Sequence, residues 1–480
     1  MRQTDRESSV ARTVNDTQPR RIRARMRLPL LDLLWNAPGA SLKQRMAHGA
    51  FWSIVGAGVS QSATLVATVL CARKLGVDGY GRLGIILSTI NLFASVGQLG
   101  LGLTATKHVA EFRSTHPDKA GRVIALSQLT SIASGLLVAV VLCAAARFIC
   151  GRYLRAPSLT GALRLGAAAM FFVAVNGSQT GILSGFEAFR QIATANFVRS
   201  IVTIPAVLAG VVWAGIDGAV GGYALVGLVS YLTFGVLIRR ECRKWRIPAK
   251  CSLGMDEVRL LYHFSLPVLI AGFSFTPAVW WANTLLAKRA GFVENGLSTA
   301  AFQWQFVILF FSSAIGSLGL PMLSNLAGKR DARGYRRLLY WGAFLTTASA
   351  IALAMPIALA SPHIMRAYGA AFGKAAVTLV LVCVATVLSA ANICVGQAIW
   401  SLGAASWGMA LAFLRGGVLV AATYALVAHG AAGLASAYVV TGVVQTAVQV
   451  FFIGWLLRQK SREWDQPPPT ELPCDSLATV

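Results

Sequence analysis

Two arginines stand inside stretches that are otherwise apolar for the length of a membrane. Arg199 lies in ANFVRSIVTIP and Arg415 in LAFLRGGVLVA, at matching places in the two halves of the chain. A guanidinium stays charged and offers five N–H donors in a fork that fits phosphate or carboxylate. Placing one at mid-bilayer costs about 2.5–3.5 kcal/mol on insertion scales, so it is read first as part of a polar cavity or ligand path. Arg415 stands about eleven residues into its span, roughly 16 Å at 1.5 Å per residue, too deep to reach the headgroups easily. Arg199 is expected nearer the end of its span, where snorkelling is the stronger reading. Together they ask for an anionic ligand.

A second pattern suggests different chemistry. Gly79, Gly81 and Gly84 in LGVDGYGRLG have the G-x-G-x-x-G spacing of a dinucleotide-binding turn. That turn must follow a strand, open a helix and precede an acidic residue by about 20 positions. Here a long apolar segment precedes it, and residues 100–106 (GLGLTAT) hold no carboxylate. No G-x-x-x-x-G-K-[ST] is present either, so neither a nucleotide fold nor P-loop ATP hydrolysis is expected. No cofactor or catalytic residue is assigned.

The elements that must carry these residues follow from composition. Of 480 residues 56% are hydrophobic and only 13% charged, with mean hydropathy +0.62; soluble domains carry about a quarter charged residues. Apolar runs of about 20 residues recur, the length of a membrane-crossing helix. Barrel strands, which alternate over about 10 residues, do not fit. The reading is an all-α polytopic membrane protein with twelve spans near 51–71, 83–106, 123–147, 164–184, 191–213, 217–238, 260–286, 297–320, 338–360, 375–400, 405–427 and 432–457. The first run begins after about fifty polar residues, so no cleavable signal peptide is expected.

The net charge of +25 is unevenly distributed. Alternate loops and both tails hold 30 of the 43 Lys and Arg residues and the opposite loops 11; the other two are Arg199 and Arg415. By the positive-inside rule both termini are cytoplasmic. RRIRARMR (Arg20–Arg27) is then a topology signal, with Leu28–Trp35 against anionic lipid, rather than a nucleic-acid contact. Among eight cysteines there is no C-x-x-C, and Cys143 and Cys150, seven apart, lack the partners of a metal site. No Asp or Glu falls in the middle of a span, Glu187 and Asp217 sitting at helix ends, which leaves no carboxylate at membrane depth for a proton or sodium relay. Amides and aromatics dot the spans, among them Gln61, Asn176, Gln179, Trp280, Trp281, Asn283 and Asn392. They suit sugar hydroxyls and ring faces, though helix–helix hydrogen bonds explain any single amide as well.

The chain also repeats itself. ARKLGVDGYG (Ala72–Gly81) aligns with AKRAGFVENG (Ala287–Gly296), and GAVGGYALV (Gly218–Val226) with GLASAYVVT (Gly433–Thr441), both at an offset of 215. This divides the chain into a basic tail (1–50), a six-span lobe (51–240), a basic linker (241–258), a second six-span lobe (259–458) and a C-terminal tail (459–480). An even number of spans per lobe gives a parallel repeat, whose substrate site lies between the lobes near the midplane. Gly76 and Gly81, with Gly291 and Gly296, are expected to form the turns after the first span of each lobe.

The order of GAFWSIVGAGVSQ, ARKLGVDGYG, LGLGLTATKHVAEF, GILSGFEAFRQIATANFVRSI, HFSLPVLIAGF, AGFVENGLSTAAFQ and LGLPMLSNLAGKR resembles the polysaccharide flippase branch of the multidrug/oligosaccharidyl-lipid/polysaccharide exporter superfamily, over residues 49 to 458. The resemblance implies a flippase that carries a polyprenyl-diphosphate-linked oligosaccharide, an O-antigen or exopolysaccharide repeat unit, across a bacterial inner membrane by alternating access. It implies two six-helix lobes around a cationic cavity, with Arg199 and Arg415 meeting the diphosphate. Membrane lipids, a polysaccharide polymerase and glycosyltransferases are the expected neighbours. A cation-coupled drug antiporter, a lipid II flippase and a membrane glycan polymerase are the alternatives.

Overall fold

The computed structural model describes residues 42–248, 275–317 and 319–464. The basic tail before residue 42, linker residues 249–258 and residues 260–274 of the seventh span lie outside the described residues. The described residues from Trp52 to Trp464 belong to one compact unit, and helical residues Leu42–Phe51 fall outside it.

Every regular element among the described residues is a helix. In chain order they are α1 (Leu42–Gly97), α2 (Leu101–Phe112), α3 (Pro117–Phe148), α4 (Thr160–Gly185), α5 (Phe189–Lys244), α6 (Thr276–Arg289), α7 (Gly291–Ser317), α8 (Gly319–Gly328), α9 (Ala332–Leu359), α10 (Ser361–Tyr368), α11 (Ala376–Ser401), α12 (Ala405–Leu426) and α13 (Gly430–Trp464). Among the described residues, eight continuous helical stretches are long and apolar enough to cross a membrane. Three of them break at a glycine of positive φ: Gly76 within α1, Gly215 within α5, and Gly430 between α12 and α13. Each stretch continues as two arms, which with α6 is consistent with twelve spans. The helices nearest both termini lead to the same end of the bundle, here the tail end; the breaks at 76, 215, 291 and 430 lie at the far end.

The breaks come in pairs. Gly76 (φ 68°) matches Gly291 (φ 92°), and Gly215 (φ 57°) matches Gly430 (φ 64°), both at the offset of 215. Only glycine enters this region without steric cost. At the tail end Glu187 (φ 56°) and Gly403 (φ 77°) form another pair, at offset 216.

Gly81 and Gly296 do something other than turn. Both are helical, one on the second arm of α1 and one on α7. A Cβ on Gly81 would lie 1.8 Å from the Phe292 carbonyl oxygen, and one on Gly296 would lie 2.1 Å from that of Val77. Since Val77 and Phe292 are themselves 215 apart, the contact is reciprocal about a local pseudo-two-fold axis. The expected turn role is corrected: Gly76 and Gly291 bend the chain, while Gly81 and Gly296 let two helices touch backbone to backbone.

Around this contact sits the largest apolar core, which draws on both halves of the chain, including Tyr80, Leu83, Ile86 and Met170 together with Leu297, Ile308, Tyr368 and Phe372. Toward the tail end the cores separate. One contains only first-half residues, such as Val109, Ile182 and Phe234, and another only second-half residues, such as Tyr335, Ile399 and Ile453.

Candidate functional site

Arg199 is the eleventh residue of α5 and Arg415 the eleventh of α12, so each lies about 15 Å along its helix from the tail end. The sequence placed Arg199 shallower. The structure gives the two the same depth, because the turns at Glu187 and Gly403 start both helices at matching positions.

Their contacts match as well. Arg199 Nη2 donates to Ser60 Oγ on α1 at 2.8 Å. The Arg415 guanidinium lies over the Phe275 ring, 3.9 Å from its centroid, a cation–π geometry. Ser60 and Phe275 are 215 apart, so each arginine reaches the same position on the neighbouring helix of its own half. The two sites differ in chemistry. A hydroxyl accepts from Arg199, whereas a ring face supports Arg415 and leaves its buried Nε without a hydrogen-bond partner. A buried charged donor left unpaired is costly, which points to a ligand or solvent at that place. No described hydrogen bond joins Arg199 to Arg415.

Phe413, Gly416, Gly417 and Val420 of α12 line a cavity of 530 Å³ that also takes in Phe93 and Val96 of α1 and Trp280 and Trp281 of α6, whereas Arg415 lies on the other face of α12 and does not line it. It spans both halves of the chain. Its wall is apolar and aromatic, a surface for hydrocarbon or for a sugar ring face, and Trp280 is fixed there by donating to Thr89 Oγ1 at 3.0 Å.

Several of the amides picked from the sequence tie helices together instead. Asn176 donates to the Gly227 carbonyl, Gln179 to that of Tyr231, and Asn392 to Thr446 Oγ1. Asn283 donates to Ser88 Oγ at 3.4 Å, between the halves. Cys143 is exposed and Cys150 buried. Sequence reasoning missed the far-end contacts between halves. Arg73 Nε donates to the Ala367 carbonyl at 2.6 Å, Lys288 Nζ lies 5.3 Å from the Tyr153 ring centroid, and Asn295 Nδ2 donates to the Gly81 carbonyl at 2.7 Å. Arg73 and Lys288 are again 215 apart, a signal the repeat could have supplied.

An all-helical bundle of membrane-length helices, with a guanidinium buried in each half and an apolar cavity between the halves, has the build of a polytopic membrane protein. The chain belongs to the polysaccharide biosynthesis protein family, which it matches over residues 46–327. It is 26% identical to the EPS I polysaccharide export inner membrane protein EpsE of Ralstonia nicotianae, over 78% of this chain and 85% of that protein. It is 24% identical to the lipid III flippase of Escherichia coli, over 60% of this chain and 69% of that protein. Among solved structures, an inward-facing multidrug resistance MATE family transporter of the MOP superfamily has TM-score 0.72 at 16% identity, covering 85% of this chain and 99% of that one. An outward-facing MATE transporter of the same superfamily has TM-score 0.65 at 18% identity, covering 90% and 98%. These neighbours share the overall fold of this chain.

Proposed function

We propose that the protein is a flippase that moves a polyprenyl-diphosphate-linked oligosaccharide, a building unit of a surface polysaccharide, across a bacterial inner membrane. The observation that carries this reading is the pair of guanidiniums buried at matching positions in the two halves, Arg415 with a free Nε, together with an aromatic cavity between the halves. The diphosphate is the dianion such a donor fits, and the aromatic wall suits the prenyl chain or a sugar face. Family membership and the printed names of the two relatives agree with it. Arg199, already engaged by Ser60, holds a supporting charge in the other half.

The two six-helix lobes, about 51–240 and 259–458, are the moving parts of an alternating-access cycle. The described state is closed at the far end, where Gly81, Gly296, Arg73 and Lys288 join them. One side contact lies nearer the tail end, Phe310 against Gly58. The positive-inside distribution puts the tail end, and both termini, in the cytoplasm, so the state presents the site to the side on which the substrate is made. The protein carries substrate without changing it covalently, and a polymerase and glycosyltransferases act before and after it.

The test is complementation of a deletion strain. Arg415→Ala, present at normal membrane levels, is expected to lose surface polysaccharide and accumulate lipid-linked repeat units in the cytoplasmic leaflet. Full surface polysaccharide with that variant would overturn the site assignment.

A further inference from the structure

The first half contains an outward-facing groove. It runs between α3 and the second arm of α5, with α4 as its floor, and encloses 630 Å³, within the roughly 300–1,000 Å³ of ordinary ligand sites. Ile124, Ala125, Leu232 and Val236 form its walls, Gln179 lies on the floor, and Arg239 and Arg243 stand at the tail end. The groove opens away from the seam between the halves, because the opposite side of α4 packs on α1, with Gly166 on Ile90 and Ala174 on Gly97. Leu232 (56% exposed) and Val236 (49%) face outward on a spanning helix, which is where bilayer lipid lies.

A packed interior tolerates few voids, so an open groove of this volume marks a place where something outside the bundle supplies the packing.

Charge says what that is. Arg239 and Arg243 are exposed, and no described ion pair engages either of them. The nearest carboxylate on the helix, Glu241, is buried and already accepts from Gln191 Nε2 and pairs with Lys244. We propose that the groove binds one anionic glycerophospholipid of the surrounding bilayer. Its phosphate rests on Arg239 and Arg243 at the headgroup level, and an acyl chain fills the space between α3 and α5. Polybasic positions at this level attract anionic lipid, and the groove converts a general attraction into a defined site.

Gly235 supplies the decisive variant. A Cβ there would meet only Gln179 Nε2, at 3.8 Å, so a larger side chain enters the groove without a backbone clash. The experiment is native mass spectrometry of the full-length protein in detergent, titrated with phosphatidylglycerol or phosphatidylcholine, with glycerol 3-phosphate as competitor. The wild type is expected to hold one phosphatidylglycerol more tightly than the rest. Arg239→Gln/Arg243→Gln should weaken that lipid about 25-fold, roughly fivefold per charge. Gly235→Leu should abolish the tight class by filling the chain site, while Arg240→Gln, outside the groove, leaves it unchanged. Unaltered affinity in either groove variant, equal affinity for phosphatidylcholine, or displacement by glycerol 3-phosphate would each overturn the proposal, the last by showing a free-anion site.

Discussion

Replacing Gly81 by alanine separates two opposite forces. Gly81 lies within a helix, where alanine is better than glycine by about 1 kcal/mol, and on that ground alone the change would be mildly stabilising. The added Cβ, however, would stand 1.8 Å from the Phe292 carbonyl oxygen, against the 3.0 Å below which real Cβ contacts essentially never fall. The obstacle is backbone, not a flexible side chain. The second arm of α1 and α7 must therefore move apart by more than an ångström, which strains the Asn295–Gly81 hydrogen bond and the Arg82 contact over the Phe292 ring, 5.1 Å to the centroid. Overpacking of this kind costs about 1–3 kcal/mol. Helix propensity acts in every conformation, whereas the clash acts only when the far end is closed. The equilibrium should thus shift away from the closed state by roughly 5- to 150-fold, at 1.36 kcal/mol per decade, with the fold intact. The assay is disulfide trapping of Arg73→Cys with Ala367→Cys in a background without native cysteines, since Arg73 and Ala367 meet across the closed end. Gly81→Ala should lower the cross-linking rate by at least fivefold, with Gly296→Ala behaving alike because its Cβ would lie 2.1 Å from the Val77 carbonyl. A cross-linking rate equal to that of the parent pair would refute the backbone-contact argument.

Three further outcomes are expected. Arg415→Lys should keep more transport than Arg415→Ala but less than wild type, because the charge remains and the forked donors are lost; the alanine variant should fall about 10- to 100-fold in initial rate, the worth of a charged hydrogen bond. His108 on α2 is 4% exposed, and burial holds its pKa below the ordinary 6.5. The unfolded chain then binds the proton more readily, so stability present above pH 6.5 is lost as pH falls through the folded pKa; melting in detergent at pH 7.5 and pH 5 should show the drop, and His108→Phe should reduce it. A reporter enzyme fused after Trp464 should be active on the cytoplasmic side, and periplasmic activity would contradict the proposed orientation.

The chain shows much of this architecture to a reader without coordinates, and the exceptions have physical causes. The offset of 215 is visible in ARKLGVDGYG and its copy, and the backbone repeats it at Gly76/Gly291 and Gly215/Gly430. Gly81 reads as a turn residue because glycine answers two different needs, a positive φ and the absence of a Cβ, and a sequence does not say which. Arg199 reads as shallower than Arg415 because α5 begins after Glu187, a non-glycine residue that nevertheless adopts φ 56°. The partners of the arginines were illegible for another reason: Ser60 and Phe275 hold equivalent positions but share no chemistry, and only the repeat connects them. The groove between α3 and α5 depends on residues that are individually ordinary and that only the helix packing brings together.

The central claim is transport of a lipid-linked glycan, and reconstitution tests it most directly. Purified protein in liposomes would be loaded with a polyprenyl-diphosphate-linked oligosaccharide in one leaflet, and its arrival in the other followed with a membrane-impermeant lectin or glycosidase. The account predicts transfer well above protein-free vesicles and its loss with Arg415→Ala. Transfer no faster than in empty vesicles, or ion-gradient-driven movement of an organic cation in its place, would contradict it.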